Sequence, residues 1–147
     1  MFKRILVPTD GSELSTRAVK QAVAFAKEHG AEVVGFYAAP DYHMSVYEDF
    51  VPPDFVSPEQ FKANTKRVAE QRLSTIVKAA EKAGVPCETL YSTSDKPHEA
   101  IIEAARKRKC DLIFMASHGR RGIAGMLLGS ETQKVLTYSK IPVLVTR

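Results

Sequence analysis

The chain is short of cysteine and of long uncharged stretches, and each shortage closes off a class of protein. Its two cysteines, Cys87 and Cys110, lie 23 residues apart with no Cys-x-x-Cys pair and no His-rich partner spacing. That is neither a disulfide framework nor a cysteine-based metal site, and it is what a reduced cytoplasmic protein carries. Both thiols fall near predicted strand starts, where ordinary buried cysteines are expected. The longest run without a charge is nine residues, 122–130. A bilayer-spanning helix needs about 20, so membrane insertion is excluded. Met1 and Phe2 pass through Lys3 and Arg4 straight into an apolar segment, which leaves no space for a cleavable leader. Lysine and arginine number 21 against 17 acidic residues, a net charge of only +4. A nucleic-acid surface would need a denser basic field with interleaved aromatics, and no nucleic-acid partner is expected.

What is present is an average globular composition, 44% apolar and 26% charged, over 147 residues. That length suits one domain with a real core, and no repeat, linker or low-complexity tract divides it, so residues 1–147 read as a single domain. The few prolines and glycines cluster. Pro40, Pro52, Pro53 and Pro58 fall within 40–58, and Gly119, Gly122, Gly125 and Gly129 within 119–129. Long irregular segments are rare in compact domains unless they have a use. The first, with Tyr42, Tyr47, Phe50 and Phe55 among acids and prolines, reads as a lid, a partner surface or a packed irregular segment, and the sequence does not choose.

Between these segments the hydrophobic period alternates. Ile5 to Val7 is a strand-like run closed by Pro8, and Ser15–His29 has apolar residues at helical spacing with Gly30 as its stop. Val33–Ala39 is apolar throughout, as a strand covered on both faces would be. Ser57-Pro58-Glu59-Gln60 opens a helix with a capping box and proline in its first turn, and Gly84 ends it. Cys87–Tyr91 is a weaker strand, Pro97 opens a third helix, Leu112–Ala116 is a fourth strand, Ser130–Ser139 a fourth helix and Val143–Val145 a last strand. The alternation predicts an α/β fold: an open, five-stranded parallel sheet with helices on both faces, Rossmann-like.

In such sheets ligands bind beyond the carboxyl ends of the strands, where strand order reverses. Two segments leave strand ends unusually: Pro8-Thr9-Asp10-Gly11-Ser12, and the glycine-rich stretch from Ala116 to Ser130. Glycines admit positive φ and let backbone N–H groups approach an anion closely. Ser130-Glu131-Thr132-Gln133 has capping-box spacing, so a helix N-terminus would point into the same pocket, with Arg120 and Arg121 adding charge. Neither a P-loop nor a Gly-x-Gly-x-x-Gly fingerprint is present. An anion site and a plain glycine-rich surface loop both remain open on spacing alone.

The pattern Met115-Ala116-Ser117-His118-Gly119, then nine residues, then Gly129-Ser130 resembles the signature of the ATP-binding branch of the universal stress protein family. The opening Pro8-Thr9-Asp10-Gly11-Ser12 and the closing Pro142-Val143-Leu144-Val145 are similar to that family too, and the likeness spans nearly the whole chain. The first signature glycine is Ala116 here, which fits at negative φ but is strained at positive φ.

The resemblance implies strand order 3-2-1-4-5, an adenine nucleotide alpha-hydrolase-like fold and ATP as ligand, with magnesium as an ion that can accompany it. It implies that Asp10 bonds the ribose or helps hold a metal, that Pro8 and Thr9 line the adenine slot, and that Ala38 offers its backbone to the adenine edge. Ala116 would lie against the ribose, and Gly119, Gly129, Ser130, Glu131 and Thr132 would contact phosphates, with Arg120 beside them. Met115 reads as core or as an adenine contact. A homodimer through the edge strand Val143, Leu144 and Val145 is also implied, which would cover an apolar edge.

His118 lies within the loop among these contacts, but Ser117 is its neighbour, which makes a Ser-His dyad geometrically awkward. His29 and His98 are expected to cap helix ends, and His43 has no visible partner. Arg106-Lys107-Arg108-Lys109 reads as a solvated helix terminus. Three functional readings follow: a cytoplasmic ATP-binding stress or signalling protein acting on an unknown protein partner, a slow magnesium-dependent ATPase, or the same fold without nucleotide. No water-activating base is evident beyond Asp10, which favours the binding protein over the enzyme.

Overall fold

The computed structural model describes residues 1–43, 55–120, 122 and 125–147. The proline-rich segment lies for the most part outside the described residues, as do Arg121, Ile123 and Ala124. Five strands and four helices alternate in the order β1 (Arg4–Pro8), α1 (Glu13–His29), β2 (Glu32–Ala39), α2 (Pro58–Ala83), β3 (Cys87–Thr93), α3 (Pro97–Lys107), β4 (Leu112–Ala116), α4 (Ser130–Tyr138) and β5 (Val143–Thr146). The sheet order is β3-β2-β1-β4-β5 with every pair parallel, as the alternation and the family likeness predict. The reversal of strand order falls between β1 and β4.

Side-chain alternation on the central strands divides the core. Ile5 and Val7 of β1 and Leu112 and Phe114 of β4 pack with α1 and α2, while Leu6, Ile113 and Met115 pack with α3 and α4. Ile5, Leu6 and Val7 are wholly buried, because a central parallel strand has helices over both faces. Gly35 in β2 lets α2 come in close: a Cβ there would stand 3.0 Å from Ile76 Cδ1. This close docking sets Arg72, one turn before Ile76, over the carboxyl end of the sheet.

Local signals explain the helix ends. Ser12 caps α1 by accepting the Ser15 N–H, and Ser57 and Gln60 form the reciprocal box at α2. Gly30 and Gly84 take left-handed φ of 63° and 73° to stop α1 and α2. The end of α3 carries no glycine, and there Lys109 takes φ 54°. Its N–H donates to Arg106 O and that of Cys110 to Ala105 O, so a lysine fills the place a glycine holds in the other two turns. Around it Arg106 and Lys107 pair with Glu103, and Arg108 with Glu88, the solvated terminus its charges suggest.

At α4 the sequence reading needs correction. The cap is Gly129, not Ser130, and no side chain bonds the first turn. Ser130 lies one residue inside the helix, so the expected capping box cannot form. Cys110 is buried, and desolvation pushes its thiol up to about 11; Cys87 is half-buried and also raised, by burial first. Among the described residues no helix is long and apolar enough to cross a membrane.

Candidate functional site

The two ends of the sheet are finished differently. At the amino ends Asp111 accepts the N–H groups of Lys3 and Arg4 at 2.8 and 3.0 Å, closing the turn into β1. At the carboxyl ends β1 and β4 part company, and a cavity of about 660 Å³ opens between their loops. That is the volume range of small-molecule sites. Pro8, Thr9, Asp10, Ala38, Met115, Ala116, His118, Gly119, Arg120, Gly129, Ser130, Glu131 and Thr132 all line it. The segments after β1 and β4, more than a hundred residues apart in sequence, thus form one wall.

The β1 end is rigid. Thr9 is buried, its N–H donates to Phe36 O at 2.9 Å, and its hydroxyl meets Ser15 Oγ at 2.6 Å. Asp10 accepts the Ser12 N–H on Oδ1 at 2.9 Å and the Arg120 N–H on Oδ2 at 2.8 Å. Burial works to raise the Asp10 carboxyl, but hydrogen bonds from Ser12 and Arg120, with the Arg120 charge, outweigh it and hold the group below its ordinary range. The carboxylate is therefore ionised and already engaged.

The glycine loop is pinned at both ends by one bond, Gly129 N–H to Ser117 O at 2.7 Å. Its glycines serve close packing more than unusual dihedrals. Of its four glycines only Gly125 has positive φ, whereas a Cβ on Gly119 would fall on Asp10 Oδ2 and one on Gly129 would stand 2.8 Å from His118 Cβ. Ala116 closes β4 without positive φ and is buried, so alanine is unstrained at the first signature position. His118 fills the space that Gly122 and Gly129 leave, a loop-bracing place. Its Nδ1 does meet Ser117 Oγ at 3.2 Å, contrary to the geometric expectation, but Ser117 is only 1% exposed and presents no nucleophile.

The first turn of α4 forms another wall. Thr132 is buried and donates its hydroxyl to Ala116 O at 3.0 Å, fastening the helix start to the end of β4. Glu131 turns its carboxylate to α3, where it accepts both the N–H and Nδ1 of His98 at 2.8 and 3.0 Å. His98 thus ties α3 to α4 and does not cap its own helix. Burial alone would raise the Glu131 carboxyl, yet the His98 bonds and Lys134 leave it below the usual value. What α4 turns to the cavity is a helix start without a side-chain cap, which carries partial positive charge. His29 bonds Phe25 O at the end of α1 as expected, while His43, read as unpartnered, lies 2.6 Å from Asp95.

Sequence reasoning missed several lining residues, Ser15, Tyr37, Asp95 and above all Arg72. Arg72 lies on the stripe of α2 that includes Ala69, Leu73, Ile76 and Ala80, and its Nη1 donates to Asp10 O at 2.6 Å. A charged residue on an otherwise apolar helical stripe was the available signal. Among the described residues no group of three His, Cys, Asp or Glu side chains is gathered that could hold a metal.

The sequence and the fold have relatives among known proteins. The model of the "Universal stress protein family" matches residues 1–147. A universal stress protein of Thermus aquaticus is 35% identical over 147 residues, covering all of both chains. The solved structure of protein MJ0577 of Methanocaldococcus jannaschii, itself called a universal stress protein, superposes with a TM-score of 0.82 at 31% identity, over 99% of this chain and 96% of that one. A universal stress protein solved in complex with cAMP matches with a TM-score of 0.69 at 26% identity, over 99% and 97% of the two chains. With the family model matched end to end and the strand order and glycine loop in place, this chain belongs to the universal stress protein family.

Proposed function

We propose that this protein is a cytoplasmic stress-response or signalling protein that binds an adenine nucleotide, ATP in the first instance, in the cavity at the carboxyl ends of β1, β2 and β4. The observation that carries the reading is the convergence there of an uncapped helix start with glycines packed too tightly for any side chain. Free N–H groups at a helix N-terminus beside a close-approaching backbone suit phosphate. Apolar Ala38, Met115 and Ile101 offer a slot for a base on the other side. The cAMP complex of a relative supports an adenine ligand. In this reading Pro8, Thr9 and Ala38 take the adenine, Asp10 and Ala116 the ribose, and Gly119, Arg120 and the first turn of α4 the phosphates. Gly129 contributes through its lack of a side chain, since its N–H is bonded to Ser117 O.

Binding is favoured over hydrolysis by the state of the carboxylates. Asp10 is engaged by Ser12 and Arg120, Glu131 by His98, and Asp95 by His43 and the Asp41 N–H. A general base needs a carboxylate free to take a proton from water. Magnesium would arrive on the phosphates, in keeping with its habit of retaining water and few protein ligands. We also propose a homodimer across β5, which ends the sheet and leaves one side of its backbone unpaired among the described residues.

Native mass spectrometry of the purified protein tests both points. The expected result is two chains with one adenine nucleotide each. Apo-protein that ignores added ATP, AMP and cAMP would remove the reading.

A further inference from the structure

Two guanidinium groups meet at one backbone position on the β1 side of the cavity. Arg72, from α2, and Arg120, from the glycine loop, both donate to the carbonyl oxygen of Asp10, at 2.6 and 2.9 Å. Gly11 follows with φ 78° and no side chain to separate them. A Cβ there would fall on Arg72 Nη1, 2.9 Å from Arg72 Cζ and 3.2 Å from Arg120 Nη2. The two cations thus lie within about 6 Å of each other, the most those two distances allow. The Asp10 carboxylate beside them is bonded to backbone N–H groups of Ser12 and Arg120. Among the described residues neither arginine has an acidic side chain within salt-bridge distance. Arg72 Nε is buried and has no hydrogen-bond partner among the described residues, and Tyr37 holds the guanidinium at 5.6 Å from its ring centre. Both arginines line the cavity.

Converging like charges repel unless an anion joins them, and planar guanidinium forks are suited to phosphate oxygens. We propose that Arg72 and Arg120 form a second phosphate subsite, separate from the start of α4, and that Arg72 makes the pocket selective for adenine nucleotides carrying more than one phosphate. The inference rests on the nucleotide reading above. The second phosphate has two chemical sources: the distal end of a 5′-polyphosphate, or a phosphate on the ribose itself. Gly11 is part of the device, because any side chain there would displace Arg72.

Calorimetric titration of AMP, ATP and adenosine 3′,5′-bisphosphate into the wild-type protein and Arg72→Gln tests it. The wild type is expected to prefer at least one of the two multiply phosphorylated ligands over AMP by about tenfold, the size of a charge-assisted contact. Which ligand is preferred identifies the source. In Arg72→Gln that ratio should collapse toward one, and Arg72→Lys, which keeps the charge and is the fallback if the glutamine variant does not fold, should retain part of it. Equal losses for AMP and the preferred ligand would mean that Arg72 only supports the Asp10 turn, and would overturn the subsite alone. An unchanged ratio in a folded Arg72→Gln protein, or no preference in the wild type, also overturns it. Failure of all three ligands to bind overturns the nucleotide reading as well.

Discussion

The backbone N–H of Arg120 donates to the carboxylate of Asp10 at 2.8 Å, across 110 residues of sequence. The contact joins the segment after β1 to the loop after β4 at the point where strand order reverses. Gly119 makes it possible, since any larger residue would place its Cβ on the accepting oxygen.

Gly119→Ala is therefore expected to cost about 1–3 kcal/mol of stability, the usual cost of overpacking a fitted position. The cost should shrink markedly when Asp10 is also alanine, because the clash is with that carboxylate. Chemical denaturation of the two single variants and the double variant measures the coupling. Additive effects would mean that the two residues do not compete for space.

The depressed Asp10 carboxyl has a consequence for acid stability. A group whose folded value lies below its unfolded value contributes stability that is complete above the unfolded value, about pH 4, and is lost as pH falls through the folded one. Asp10→Asn should destabilise the protein at pH 7 by about 1–3 kcal/mol, the worth of hydrogen bonds to a charged group. Its stability should then fall less steeply than the wild type's below pH 4. Parallel pH profiles in urea denaturation would contradict the assignment.

Lys109 at φ 54° does what glycine does after α1 and α2. Lys109→Gly removes the left-handed strain but adds freedom to the unfolded chain, so the expected net gain is small, about 0.5 kcal/mol. Thermal unfolding should shift upward by about 1–2 °C. A downward shift would show that the Lys109 side chain contributes more than its backbone costs.

The edge of β5, unpaired among the described residues, predicts association. Val143 and Val145 pack on the α3 and α4 face, and Leu144 on the other, yet none is fully buried in the single chain. Light scattering should give twice the 16.2 kDa chain mass, and Val145→Glu should lower it toward one chain. A wild-type particle of one chain at high concentration would refute the dimer.

Much of this architecture could be read from residues alone, because the governing signals are local. The all-apolar run Val33–Ala39, the box at Ser57 and Gln60, and the stops at Gly30 and Gly84 each act through neighbours within a few positions, and each appears where expected. The loop after β4 was legible as well, through the spacing of Gly119 and Gly129. Its glycines turned out to serve His118 and Asp10 more than φ. No local rule shows which side chain will come to occupy a glycine's empty space.

The sequence by itself determined the order of strands and helices and the identity of the two loops that leave the sheet beside each other. Periodicity, caps and turn residues are short-range properties, so one chain read in isolation contains them. Only the tertiary structure decided that Arg72 of α2 would bond the Asp10 carbonyl, that Glu131 would be taken by His98, and that α4 would begin at Gly129. Those outcomes depend on how closely α2 docks on Gly35 and how α3 and α4 pack against each other, and packing is settled by the whole core at once.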